Sequence, residues 1–261
     1  MKITIIGAGA MGGAIAEGLI KSDVMRPSDL TISDHHQETL DHFSALGAST
    51  TLDNCLAVKD SDIVFVVVKP WCVEKTIADI KDELDDRQLL IVVAAGITSA
   101  QLQTWLGKRG ESPSLFLAMP NIAIAYKASM TYLTPVGATE EETQKVVALF
   151  DELGESILLE ESLYPAATAL SCSIAYAMRY ARASVEGAVE LGFKAKLAQK
   201  IVLQTMAGAV ELLKATGAHP EAAIDKVTTP GGLTIRGLNE MEHAGFSSAV
   251  IRGMKAGKPQ K

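Results

Sequence analysis

Two groups of residues in this 261-residue chain have types and spacing that could do chemistry. The first is Gly7-Ala8-Gly9-Ala10-Met11-Gly12, a G-x-G-x-x-G that follows directly on the β-branched run Lys2 to Ile6. Gly7 allows a tight strand-to-helix turn, Gly9 lets a diphosphate approach the backbone, and Gly12 lets the next helix lie close to the strand. The amides and dipole at the start of that helix suit anionic phosphates. Alone, such a motif is weak evidence. Here a buried strand precedes it, a helix to Lys21 follows, and a second strand, Leu30 to Ser33, comes at the expected distance and ends in polar residues, which reads as a dinucleotide site.

The second group is Thr228-Thr229-Pro230-Gly231-Gly232-Leu233-Thr234, which puts backbone donors and a hydroxyl at a helix start. It is either a cradle for a small carboxylate or a plain N-cap, and the residues alone leave both open. Ligands of an open parallel sheet bind beyond the carboxyl ends of its strands, at the switch point. That rule adds the turns Ser33 to His35, Val67-Val68-Lys69-Pro70 and Ala94-Ala95-Gly96 to the dinucleotide candidates, with Ile6. Lys69 reads equally as a solvated lysine, and Pro70 and Gly96 as chain terminators. His35 and His36 could meet the 2′-phosphate of NADP, whereas the Asp34 carboxylate suits the ribose hydroxyls of NAD and repels that phosphate.

Conventional catalytic groups are few. The histidines His35, His36, His42, His219 and His243 lack metal spacing, and no cysteine sits in a nucleophile motif, so no metal site is expected. No lysine follows the small-residue run around Ser171, where hydroxyacid dehydrogenases of similar layout carry a general acid. Such a site favours an electrophile that needs no strong protein acid, for example an imine already protonated near neutral pH.

The elements that would position these groups fall into two blocks. Up to Leu159 strands and helices alternate: buried strands at Ile63 to Val68 and Leu89 to Ala95, further strands at Leu115 to Met119, Ser129 to Thr134 and Ser156 to Leu159, and helices between them. Thr98 with Gln101, and Thr139 with Glu142, have the spacing of capping boxes. The alternation predicts an α/β fold, a Rossmann-type doubly wound parallel sheet, over residues 1–160. From Ser162 onward no segment reads as a strand. Leu163 to Leu191 reads as one long helix, followed by helices at Lys196 to Ala215, Pro220 to Val227, Leu233 to His243 and Phe246 to Ala256. Residues 161–261 are thus expected to form an all-α domain whose long apolar stripe favours a homodimer.

A net charge of −7 argues against nucleic acid as a partner. No run of eighteen apolar residues exists, and the N-terminus begins with the buried strand, so neither a membrane span nor a signal peptide is expected. Three widely spaced cysteines fit a reduced cytoplasm.

Taken together, Asp225 to Leu238 (DKVTTPGGLTIRGL), Met241-Glu242, Gly245-Phe246, Val68-Lys69-Pro70, Ala94-Ala95-Gly96, Met119-Pro120-Asn121, Gln204-Thr205 and Gly208-Ala209 resemble the pyrroline-5-carboxylate reductase family along nearly the whole chain. The resemblance implies a helical domain that interlocks two subunits, often in larger rings, and hydride transfer from NADPH or NADH to the C=N carbon of 1-pyrroline-5-carboxylate, giving L-proline. That family mostly prefers NADPH. By position, Thr234 would bond the ring nitrogen as the catalytic residue, with Leu233 and the Gly231 and Gly232 amides beside it, and Ser171 and Ser173 at the carboxylate. Ile6 to Gly12, Ser33, Asn54, Val67 to Pro70 and Ala94 to Gly96 would contact the dinucleotide. Three places depart from the family pattern: Ser171-Cys172-Ser173-Ile174-Ala175-Tyr176 lacks the family loop's glycine and proline, Ile122-Ala123 replaces Thr-Pro, and Leu233 replaces Thr or Ala.

Overall fold

The computed structural model describes residues 1–107 and 113–258, which divide into two compact units, Met1–Ser171 and Cys172–Lys258. In the first unit β1 (Ile3–Ile6), β2 (Leu30–Ser33), β3 (Ser49–Thr51), β4 (Ile63–Val66), β5 (Leu89–Val92), β6 (Ser114–Met119), β7 (Ser129–Val136) and β8 (Gly154–Leu158) form one sheet. Its spatial order is β3-β2-β1-β4-β5-β6-β7-β8. The chain therefore leaves β1 in one direction and returns on its other side, making the carboxyl end of β1 the switch point.

All pairings are parallel except β6 with β7. The expected doubly wound parallel sheet forms with this one antiparallel pair, and the reason for the pair is loop length. Pro120 to Ala128 is too short for a parallel crossover, which needs about a dozen residues or more. It folds instead as a 3-10 turn over Ile122–Tyr126, opened by the Asn121 side chain accepting the Ala123 amide at 3.0 Å and closed by Lys127 in the left-handed region at φ 57°. The three-residue β3, Ser-Thr-Thr, has no strand signature in sequence because it is short, polar and at the sheet edge.

Around the sheet run α1 (Ala10–Ile20), α2 (Gln37–Ala45), α3 (Asn54–Val58), α4 (Pro70–Ile80), α5 (Ser99–Leu106), α6 (Glu140–Asp151) and α7 (Tyr164–Cys172). Each residue of β4 is fully buried, and its side chains alternate between two cores. Ile63 and Phe65 join Ile15 and Leu19 of α1 and Phe150 of α6, while Val64 and Val66 join Val73 and Ile77 of α4 and Leu102 of α5. A central strand can be apolar throughout only when helices cover both faces.

The second unit holds α8 (Ile174–Glu190), α9 (Ala195–Thr216), α10 (Pro220–Val227), α11 (Leu233–His243) and α12 (Phe246–Ala256). The single helix expected over Leu163 to Leu191 is two, α7 and α8, parted at Ser173. Ser173 takes φ −65° and ψ −12° at the break, with no side-chain cap on α8. Within the unit Tyr176 donates its hydroxyl to the Gly253 carbonyl at 3.4 Å, and the Tyr180 and Phe246 rings meet edge to face. Ala198 is the one buried residue among those described here, and Leu191 is 81% exposed. No helix of the described residues is long and apolar enough to cross a membrane.

Both predicted capping boxes form, at Thr98 with Gln101 and at Thr139 with Glu142. The Glu142 carboxylate accepts the Thr139 amide and the hydroxyls of Thr139 and Ser114. Thr139→Ala removes the hydroxyl that accepts the Glu142 amide, and should lower stability by about 1 kcal/mol. A lower urea midpoint at unchanged slope is the expected readout.

Candidate functional site

The glycine turn lies at the carboxyl end of β1. Gly7 sits at φ 88°, where its amide donates to the Ser33 carbonyl at 2.8 Å. A Cβ there would lie 2.6 Å from the Val67 carbonyl oxygen, so the turn admits no side chain. At Gly12 a Cβ would lie 1.9 Å from the Gly7 carbonyl oxygen, which forces glycine where α1 presses on the turn. Gly9 is different. Its φ of −66° suits any residue, and a Cβ would meet nothing within 4 Å. Neither backbone conformation nor neighbouring atoms demand glycine here, and the space a side chain would fill is open.

An incoming anion would face the start of α1, whose N-cap is Gly9. No side chain caps this helix and no acidic residue occupies its first turn, which leaves its positive end and orphan amides for a ligand. Gly9 and Ala10 are exposed, Met11 is half-buried, and Ala8 and Gly12 are buried. These residues fit a dinucleotide diphosphate.

The neighbouring turns complete the rim. Pro70 begins α4 with Lys69 exposed at its N-cap, Val67 is buried and Val68 half-buried. After β5, Ala94 is buried while Ala95 and Gly96 are exposed, with Gly96 at φ 79° and open space around it. Ser33 donates its hydroxyl to the Asn54 side-chain oxygen at 2.7 Å, drawing the start of α3 to the end of β2.

Asp34 is more deeply engaged than its sequence position suggests. Its Oδ2 accepts the Ala8 amide at 2.8 Å, and its Oδ1 accepts the His36 amide at 2.9 Å and contacts His36 Nδ1 at 2.9 Å. Burial pushes its pKa up, but the Ala8 and His36 amides, the His36 ring and nearby His35 outweigh this and hold the carboxyl below its ordinary range. The Asp34–Ala8 bond went unread in sequence. It follows from the register of β1 and β2, which pairs Ile6 with Ser33 and sets Asp34 beside the glycine turn.

In the second unit, Gly231 takes φ 69° and Gly232 caps α11, its amide donating to the Thr229 carbonyl at 2.9 Å. A Cβ on Gly232 would lie 2.4 Å from the Thr229 hydroxyl oxygen. This 11-residue helix has no side-chain cap and no acid in its first turn, and Leu233 and Thr234 are exposed at its start. It repeats the electrostatics of α1.

The two serines expected at a carboxylate are placed differently. Ser173 is half-buried at the N-cap of α8. Ser171 is buried in the first unit and donates its hydroxyl to the Pro120 carbonyl at 2.8 Å, which spends its single donor.

Comparison with known proteins covers both parts of the chain. Residues 161–260 match the family described as pyrroline-5-carboxylate reductase dimerisation, and residues 2–96 match NADP oxidoreductase, coenzyme F420-dependent. The chain is 34% identical to a pyrroline-5-carboxylate reductase of Methanosarcina acetivorans, covering 98% of this chain and 97% of that protein. It is 36% identical to pyrroline-5-carboxylate reductase 1 of Dictyostelium discoideum over 97% of its own length, and spans about half (48%) of that longer relative. A crystal structure of Plasmodium falciparum pyrroline carboxylate reductase with NADP bound has the same fold, with TM-score 0.87 at 24% identity over 98% of this chain and 95% of that one.

Gly9→Val should leave the melting temperature near that of the parent while weakening reduced-dinucleotide binding by roughly tenfold or more, because it fills only the anion's space. Gly12→Ala should do the opposite first, lowering the melting temperature by driving a methyl group into the Gly7 carbonyl. Calorimetric melting with fluorescence titration separates the two.

Proposed function

The chain belongs to the pyrroline-5-carboxylate reductase family, and from that membership and the two uncapped helix starts we propose that it reduces 1-pyrroline-5-carboxylate to L-proline. The hydride comes from a reduced nicotinamide dinucleotide. Family preference points to NADPH as that donor, with NADH the other candidate, and the choice falls to the residues after β2.

The observation that carries this reading is the start of α1, where a side chain at Gly9 would meet open space and no side chain caps the helix. Ile6 to Gly12 hold the diphosphate, and Ser33, Asn54, Val67 to Pro70 and Ala94 to Gly96 line the rest of the dinucleotide. At the start of α11 the Thr234 hydroxyl bonds the ring nitrogen, and Leu233 with the Gly231 and Gly232 amides flanks the substrate. Ser171 and Ser173 belong to the carboxylate side, although Ser171 must turn its hydroxyl away from Pro120 to donate there. As hydride reaches the C=N carbon, the π electrons of that bond move onto nitrogen, which already carries its proton as an iminium. Holding the ring therefore matters more than moving protons, in keeping with the lack of an acid or base in either group.

A second copy of the chain is the natural cover for the helices of the second unit, which bury Ala198 alone. A bundle with so little interior is stable only when association supplies the rest. The protein so read works in the cytoplasm as a homodimer or a larger ring. Its melting temperature should accordingly rise with protein concentration, and a concentration-independent value would argue for a monomer.

Purified protein with 1-pyrroline-5-carboxylate and each reduced nicotinamide, followed at the cofactor's absorbance, tests the activity directly. Turnover with this substrate is the expected result, and turnover only with other imines or keto acids would contradict it. Thr234→Ala should lower kcat by roughly tenfold or more, with dinucleotide affinity unchanged, since one lost substrate hydrogen bond leaves the cofactor's contacts intact.

A further inference from the structure

Resting on the dinucleotide reading of the glycine turn, we infer that Asp34 sets cofactor choice, turning this chain toward NAD(H) and against the 2′-phosphate of NADP(H). Asp34 is buried, its side chain 5% exposed, and hydrogen bonds hold both carboxylate oxygens. One oxygen is tied to the Ala8 amide of the turn itself, and the other to the amide and ring of His36. A carboxylate offers about four acceptor positions. Three are taken by these donors, and the one left, on Oδ2, is beside the same turn that would receive the diphosphate.

A free acceptor held next to the phosphate cradle matches a ribose hydroxyl, which can donate a hydrogen bond. A phosphate at that position has no proton to offer near neutral pH and brings like charge against a fixed anion. The same contacts keep Asp34 ionised, so it cannot yield by taking up a proton. Two imidazoles stand on the other side of the balance. His36 Nδ1 lies 2.9 Å and His35 Nδ1 3.7 Å from Asp34 Oδ1, and both side chains are mostly exposed. Their rings lie 3.9 Å apart, and both turn Nδ1 toward Asp34 Oδ1. Ser33, the remaining polar side chain at the strand end, donates its hydroxyl to Asn54.

The test is binding rather than turnover. Calorimetric titration of the ligand-free protein at pH 8, above the range in which imidazoles in general titrate, is run with NADH, NADPH, ADP-ribose and 2′-phospho-ADP-ribose. The wild type should bind NADH and ADP-ribose roughly tenfold or more tighter than their 2′-phosphorylated counterparts. Asp34→Asn keeps an acceptor for Ala8 but loses the charge, and should bring each ratio near one, chiefly by a gain for the phosphorylated ligand. Equal or tighter wild-type binding of the phosphorylated pair would overturn the assignment, as would an unchanged ratio in a folded variant. If melting shows that Asp34→Asn does not fold, the wild-type ratio alone decides. Tight NADH binding without turnover of 1-pyrroline-5-carboxylate would uphold Asp34's role and refute the proposed reaction, whereas failure of all four ligands to bind would refute both.

Discussion

The close approach of α1 to the turn that follows β1 is the constraint on which the first unit depends. With Gly12 lacking a Cβ, the helix start lies directly against the Gly7 carbonyl, and a single methyl group there would have to push the helix away. Because β1 lies between β2 and β4, that contact sets the position of α1's positive end relative to three strand ends at once. Ser33 and Asp34 at the end of β2, and Val67 just after β4, are bonded or packed directly to the same turn. The turn and its rim are therefore one object. A change that loosens the helix also moves the polar residues that would discriminate between ligands.

Much of this was legible from residue types. The apolar core of β4, the Gly7 turn with the close approach at Gly12, and the two threonine-led caps each encode a local event, and each forms as read. The information missing from sequence is relational. The antiparallel β7 follows from the length of the Pro120 to Ala128 connection and its 3-10 turn, a property of chain closure that hydrophobic periodicity does not carry. The Asp34–Ala8 bond depends on which residue of β2 stands opposite Ile6, and register is invisible until the strands are paired. The division of the long helix at Ser173 was hidden for another reason: a serine among alanines has acceptable helix propensity, so no single residue announces the break.

The helical unit presents the complementary case. Its helices beyond α8 are bounded almost as their capping and turn residues indicate, with Pro220 opening α10, Gly217 closing α9 in the left-handed region and Gly245 preceding α12. Yet the apolar residues that define those helices are left largely exposed, as Leu203 and Leu233 illustrate. Local structure is specified by the chain itself, while the burial that would stabilise it is not. Two helix starts, one on each unit, share a design in which glycine stands at the N-cap and no side chain caps the helix.

The central claim is that the helix start at Gly9 exists to receive a diphosphate. A crystal structure of the protein with a bound reduced dinucleotide tests it most directly. The account predicts diphosphate oxygens within hydrogen-bonding distance of the Ala10 and Met11 amides, above an undisturbed Gly7 turn. A dinucleotide whose diphosphate lies away from the start of α1, with those amides facing solvent, would contradict it.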